Sequence, residues 1–150
     1  MDGEDLLRVE RGGAHGERVV ATRRVQAGEL LARFVGFGRV ERATRYSIQV
    51  GPAEHIDGLG QLRYLNHSCA PSAIVNTDSL TLVAARDLAA AEEVTFFYPS
   101  TEWEMTSPFT CLCGAGGCLG TIAGAKDLPA DVLERYWLNR HVRELLAARR

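Results

Sequence analysis

The sequence predicts a mostly β fold with minor α content, built from small, mostly antiparallel sheets joined by loops. Three observations predict it. Short runs of β-branched and apolar residues at 18–21, 30–35, 46–50, 80–84 and 94–97 are separated in several places by Gly- and Pro-bearing breaks. No helical crossover pattern lies between those runs, so antiparallel pairing is the economical connection. After Asp127 the period changes: Leu133, Tyr136, Trp137, His141 and Leu145 fall on one helical face behind Pro129, which predicts an amphipathic C-terminal helix. Arg149 and Arg150 read as its solvated end, where cations favour the helix dipole.

The chain has 150 residues, 46% hydrophobic and 24% charged, which fits a soluble protein with one core and at most a small appendage. Residues 1–7 are acidic and no apolar stretch follows them, so neither a secretory nor a transit signal is expected and the chain should stay inside the cell. Apolar runs such as 80–85 are far too short to span a bilayer, and no membrane role is expected. The formal net charge of −2 removes the usual drive toward phosphate backbones, so direct nucleic-acid binding is not expected. No oligomeric state is implied. His55 and His141 have no motif around them and read as surface or half-buried polar residues, and Trp103 as a packing aromatic.

Residues 98–124 have little periodicity of either kind and need something besides a core to order them. They carry Cys111, Cys113 and Cys118, the last after a flexible Gly-Ala-Gly-Gly stretch that lets three sulfurs converge. Cys69 is the remaining cysteine, and no histidine is near the trio in sequence. A tetrahedral all-thiolate zinc site therefore uses every thiol, with no open position for catalysis. Small buried apolar cysteines and a redox switch are the alternatives, but binding energy from a metal explains how such a loop orders.

The string Arg63-Tyr64-Leu65-Asn66-His67-Ser68-Cys69-Ala70-Pro71 resembles the signature of SET-domain lysine methyltransferases. Glu92-Glu93-Val94-Thr95-Phe96-Phe97-Tyr98 resembles the family's second signature, and Cys111-Leu112-Cys113-Gly114 with Cys118 its post-SET segment. The stretches from Gly16 to Thr22 and from Val25 to Glu29 resemble its opening strand and turn, so the resemblance covers about residues 13–120. It implies a SET-domain fold of small curved sheets, with the Asn-His segment threaded in a knot-like way by the later Tyr segment. The implied division is a SET domain at 1–100, a post-SET zinc segment at 101–124, and a C-terminal helix at 125–150 packed on the same domain.

The resemblance further implies S-adenosylmethionine as methyl donor, lined by the backbone of Ala14, His15 and Gly16, held by Asn66 and His67, and covered by Leu112. Tyr46 is a candidate for a cofactor or lysine-channel contact. Tyr98 matches the active-site tyrosine. Phe96 stands near the position that sets how many methyl groups fit, and without a hydroxyl there di- or trimethylation is expected. Cys69 is implied to join Cys111, Cys113 and Cys118 around one structural zinc. The implied partner is a protein presenting a lysine, a histone tail or another basic protein, and the site is cytoplasmic, or nuclear in a eukaryote. Lys126, the sole lysine, is the single internal site for automethylation. Two departures stand out: Phe97 where the family often has Asp, and Ala91 where it has a turn glycine. A catalytically idle SET-like module that binds a protein tail or the cofactor is the alternative reading; a zinc-ribbon-like interaction domain is a third.

Overall fold

The computed structural model describes residues 5–12 and 16–149. Strands β1 (Leu7–Arg11) and β2 (Glu17–Ala21) form an antiparallel ribbon with Val9 opposite Val19. After β3 (Leu30–Arg33) come β4 (Gly38–Val40), β5 (Ile48–Gly51) and β6 (Glu54–Asp57), which pair antiparallel in the order β4-β6-β5. A 3-10 turn at Gly60–Tyr64 leads into β7 (Asn66–His67). Strands β8 (Ala73–Asn76) and β9 (Thr81–Ala84) then join β3 in the order β3-β9-β8. The next strand, β10 (Thr95–Phe96), lies parallel to β7, and β11 (Phe109–Thr110) pairs antiparallel with β12 (Thr121–Ile122). The mostly β fold predicted from the sequence is the one observed. No helix among the described residues is long and apolar enough to cross a membrane.

Alternation along the strands places their inward residues in one core around Val19, Val75, Leu82 and Val94, all 1% exposed or less. A second cluster forms under the C-terminal segment, where Phe97 stacks flat on Tyr136 with ring centroids 3.6 Å apart. That contact gives Phe97 a packing role in a place where a carboxylate would have no partner of this kind.

The single helix expected behind Pro129 is two. The structure has a one-turn α1 (Ala130–Leu133) and a separate α2 (Arg140–Ala148). The break is tertiary. Asn139 takes extended backbone angles at the start of α2, its amide donates to the carbonyls of Val75 and Ser100, both at 2.9 Å, and its Oδ1 accepts from the Thr77 N–H at 2.8 Å. Those bonds, which fix a buried amide, outweigh continuation of the helix. As a result Trp137, expected on the apolar face, is 44% exposed, while His141, expected on that face as a surface or half-buried polar residue, is 3% exposed with Nε2 2.8 Å from the Thr101 carbonyl. Arg149 is not simply solvated: it donates to the Lys126 carbonyl and lies over the Trp103 ring.

Ala91 occupies the left-handed region with φ of +69°, and its N–H donates to the Ala21 carbonyl at 2.8 Å, so the turn into β10 is held by a strained non-glycine residue. Left-handed backbone costs an L-residue about 1–2 kcal/mol, part of which glycine returns as entropy loss on folding. Ala91→Gly is therefore expected to raise stability by about 1 kcal/mol, seen as a higher urea midpoint at unchanged slope. Gly124 shows the opposite case: with φ of +127°, a Cβ there would collide with the Trp103 carbonyl, and this close approach carries the Glu102 and Trp103 carbonyls onto the Ala125 and Lys126 N–H groups.

Candidate active site and metal centre

The parallel β7–β10 pairing sets Thr95 beside Asn66 and Phe96 beside His67, which joins the two sequence motifs side by side. Asn66 donates its amide to the Glu17 carbonyl at 3.0 Å and to Glu93 Oε2 at 2.9 Å. His67 is buried, and its Nδ1 accepts the Tyr98 N–H at 3.1 Å. A backbone N–H can only donate, so the proton of a neutral His67 ring sits on Nε2, which faces Cys69 Sγ at 3.4 Å.

The Tyr98 hydroxyl donates to the Leu65 carbonyl at 2.6 Å. Burial pushes this phenol well above its ordinary range, and the nearby Glu102 and Glu93 carboxylates push it further, so it remains a neutral O–H. Three aromatic rings surround it, with centroids at 4.8 Å for Phe96, 5.3 Å for His67 and 5.9 Å for Phe109.

A cavity of about 480 Å³ is lined by Tyr98, Phe96, Tyr46, Asn66 and His67. A second, of about 400 Å³, shares Asn66 and His67 with it and is walled by Leu112 and Cys113. Tyr46 is 41% exposed and meets Tyr64 edge-on at 6.2 Å. Leu112 is 61% exposed. Gly16, with φ of +84°, accepts the Gly12 N–H through its carbonyl at 2.6 Å. Ala14 and His15, named with it from the sequence, lie outside the described residues. Of the site residues expected from the sequence, Tyr46, Asn66, His67, Phe96 and Tyr98 therefore share one cavity, and Leu112 sits across the Asn66–His67 seam.

The four thiols come together although Cys69 is separated from Cys111 by 42 residues. The ligand atoms of Cys69, Cys111, Cys113 and Cys118 all lie within 4.8 Å of one another, and none forms a disulfide. Cys69 and Cys111 Sγ are 3.8 Å apart. A zinc ion with Zn–S bonds of about 2.3 Å sets the edges of a thiolate tetrahedron at about 3.8 Å, so these donors fit that ion. Burial pushes the Cys69 thiol up to about 11. At Cys113 burial acts in the same sense, but the Ala115 and Cys69 backbone groups and the adjoining thiols outweigh it and bring the thiol down to about 6. A cation between them lowers the cost of ionising the buried members. The Leu119 N–H already points at Cys69 Sγ from 3.3 Å, and the Tyr136 hydroxyl ties the Cys69 carbonyl at 2.7 Å.

One residue of the larger cavity had no sequence motif to announce it. Glu102 is 8% exposed, and its Oε2 accepts the Gln49 N–H at 2.9 Å and the Thr101 hydroxyl at 2.7 Å. Burial raises its carboxyl to about 7 against the pull of those two bonds. The only clue in the sequence was a carboxylate next to Trp103 in the irregular segment after Tyr98.

Fold, motif order and cavity define a class, the SET-domain proteins. The SET domain family model matches residues 16–99. The chain is 45% identical over 125 residues to methyltransferase flvH of Aspergillus flavus, covering 82% of this chain and 70% of that protein. It is 26% identical over 138 residues to the H3 lysine-4 specific histone-lysine N-methyltransferase of Emericella nidulans, covering 76% of this chain. Among solved structures, KRYPTONITE in complex with mCHG DNA and SAH superposes with a TM-score of 0.63 at 24% identity over 77% of this chain. The chain spans 11% of the Emericella protein and 28% of the KRYPTONITE chain. This chain belongs to the SET-domain family of methyltransferases.

Proposed function

We propose that the protein is an S-adenosylmethionine-dependent protein-lysine N-methyltransferase. The observation that carries this reading is the Tyr98 phenol, anchored on the Leu65 carbonyl at 2.6 Å inside the larger cavity, beside Phe96 and the Asn66–His67 seam. Asn66 and His67 would hold the amino-acid and adenine portions of the donor, and Leu112 would cover the adenine. The backbone of Gly16, with Ala14 and His15, would line it, and Tyr46 would contact it or the lysine stem. The donor supplies an electrophilic methyl group on a sulfonium. The SAH named with KRYPTONITE and the methyltransferase names of the relatives support that choice.

The remaining work falls to the chain. The Phe96, Tyr98 and Phe109 rings and the Leu62 and Leu65 side chains on the cavity wall would strip water from an entering amine, which disfavours an ammonium of ordinary pKa ~10.4. Tyr98, its proton committed to Leu65, leaves its oxygen lone pairs to orient an N–H and to face an electron-poor methyl carbon. A narrow channel serves in-line displacement by holding the reacting atoms collinear. Phe96 adds an aromatic face with no hydroxyl to hold an amine or a water, so a nitrogen that already carries methyl groups can turn and react again. Di- or trimethylation follows.

Cys69, Cys111, Cys113 and Cys118 would hold a structural zinc that orders residues 101–124 as a post-SET segment, beside a SET domain at 1–100 and a C-terminal part at 125–150 on the same body. The proposed partner is a protein that presents a lysine, a histone tail or another basic protein; histone-directed relatives and the H3(1-15) peptide in a KRYPTONITE complex support it. The proposed location is the cytoplasm, or the nucleus in a eukaryote. The test is incubation with labelled S-adenosylmethionine and a mixture of basic proteins, followed by hydrolysis and separation of the methyl-lysines. Label in di- or trimethyl-lysine, shifting to monomethyl-lysine in Phe96→Tyr, is expected. Label on no lysine would overturn the reading.

A further inference from the structure

Glu102 is held by one oxygen only. Both hydrogen bonds to its carboxylate, from the Gln49 N–H and the Thr101 hydroxyl, end on Oε2, while Oε1 takes no hydrogen bond among the described residues. Gln49 lies where the register of β5 against β6 shifts, so its N–H is free of the ladder there and a side-chain acceptor is needed. A neutral carbonyl oxygen, as in glutamine, would meet that need. A buried carboxylate is costly to keep, and this one lines the same cavity as Tyr98 and Phe96.

We propose that Glu102 is a catalytic residue of the methyl-acceptor channel, with Oε1 binding the incoming ammonium and accepting the proton it must lose before attack. This rests on the methyltransferase reading above. The N–H bond of the ammonium breaks as the O–H bond forms on Oε1. The nitrogen lone pair so freed makes the N–C bond to the methyl group, and the C–S bond breaks with its pair left on sulfur. The products are a methylated ammonium, a neutral thioether and a protonated Glu102. The proton leaves to solvent through the cavity mouth, and the cycle repeats for each further methyl group. A dedicated acceptor of this kind takes up a proton that the Tyr98 phenol and the rings around it would leave to water.

The other titratable or charged groups around Glu102 are Tyr98 on the preceding turn, Glu17, Arg45, Tyr46, Arg63, Tyr64 and His67 on the cavity wall, and His141 of α2 behind Thr101, with His55 of β6 beyond it. Burial raises the Glu102 carboxyl to about 7, so the carboxylate form that accepts a proton is filled in as pH rises through neutrality.

The experiment uses the full zinc-loaded chain, wild type and Glu102→Gln, which keeps an acceptor for Gln49 and Thr101. Two readouts are taken: calorimetric binding of n-butylamine to the SAH-loaded proteins, and kcat/KM for a lysine-bearing acceptor from pH 6 to 9. The wild type is expected to show an acid limb centred about pH 7, and the variant to lose that limb together with at least ~10²-fold in rate. Its n-butylamine affinity should fall ten-fold or more, with SAH affinity unchanged; Glu102→Asp should restore part of both. Equal n-butylamine binding, or one shared pH profile, would overturn the proposal. A wild type that binds n-butylamine through Glu102 yet methylates nothing would support the carboxylate–amine pairing and count against the methyltransferase reading alone.

Discussion

Tyr98→Phe is expected to lower the methyl-transfer rate by about 10²–10³-fold, the size of effect typical when one preorganised polar group is removed from a transition state. The ring keeps its neighbours, since Phe96, His67 and Phe109 touch it through their faces and edges rather than through the hydroxyl. What disappears is the oxygen that bonds Leu65 at 2.6 Å and, in the proposed reaction, would face the methyl group. The loss should therefore fall on kcat under single-turnover conditions, while SAH affinity by calorimetry stays within about two-fold of wild type. A variant with undiminished kcat would remove Tyr98 from the chemistry.

Cys113→Ser, or exhaustive chelation of the wild type, is expected to have the larger structural effect. Elemental analysis should find one zinc per wild-type chain and a marked shortfall in the variant. A structural zinc contributes on the order of 10 kcal/mol to the fold that holds it, so even partial loss should lower Tm by about 10 °C or more. Activity should go with it. Phe109, whose ring meets both Tyr98 and His67, stands two residues before Cys111, and Cys69 is two residues beyond His67, so the same four sulfurs tie both walls of the site. A wild type that is metal-free yet fully folded and active would contradict the assignment.

The parts of this fold legible in the sequence are those written in local pattern. The apolar runs at 18–21, 46–50 and 80–84 overlap strands β2, β5 and β9, because alternation and β-branching are local properties. Of the run at 30–35, Val35 is 74% exposed and lies outside β3, since a continuous apolar stretch does not mark where pairing stops. The Asn66-His67 and Phe96-Tyr98 motifs and the cysteines were legible as candidate site residues, and the joining of the two motifs by the β7–β10 pair required the structure.

What stayed hidden depends on distant partners. Asn139 breaks the C-terminal helix through contacts 39 and 64 residues back along the chain. Glu102 owes its burial and its anchor to a backbone N–H 53 residues away. The departure at Ala91 was visible as a missing glycine, but the strain it carries appeared only as a positive φ.

The most direct test is a crystal structure of the zinc-loaded protein with SAH bound. The thioether sulfur is expected beside the Tyr98 hydroxyl and the Leu65 carbonyl, with the amino-acid end at Asn66 and the adenine between His67 and Leu112. SAH bound away from the Asn66–His67 seam, or with its sulfur turned from Tyr98, would rule out the proposed roles of these residues.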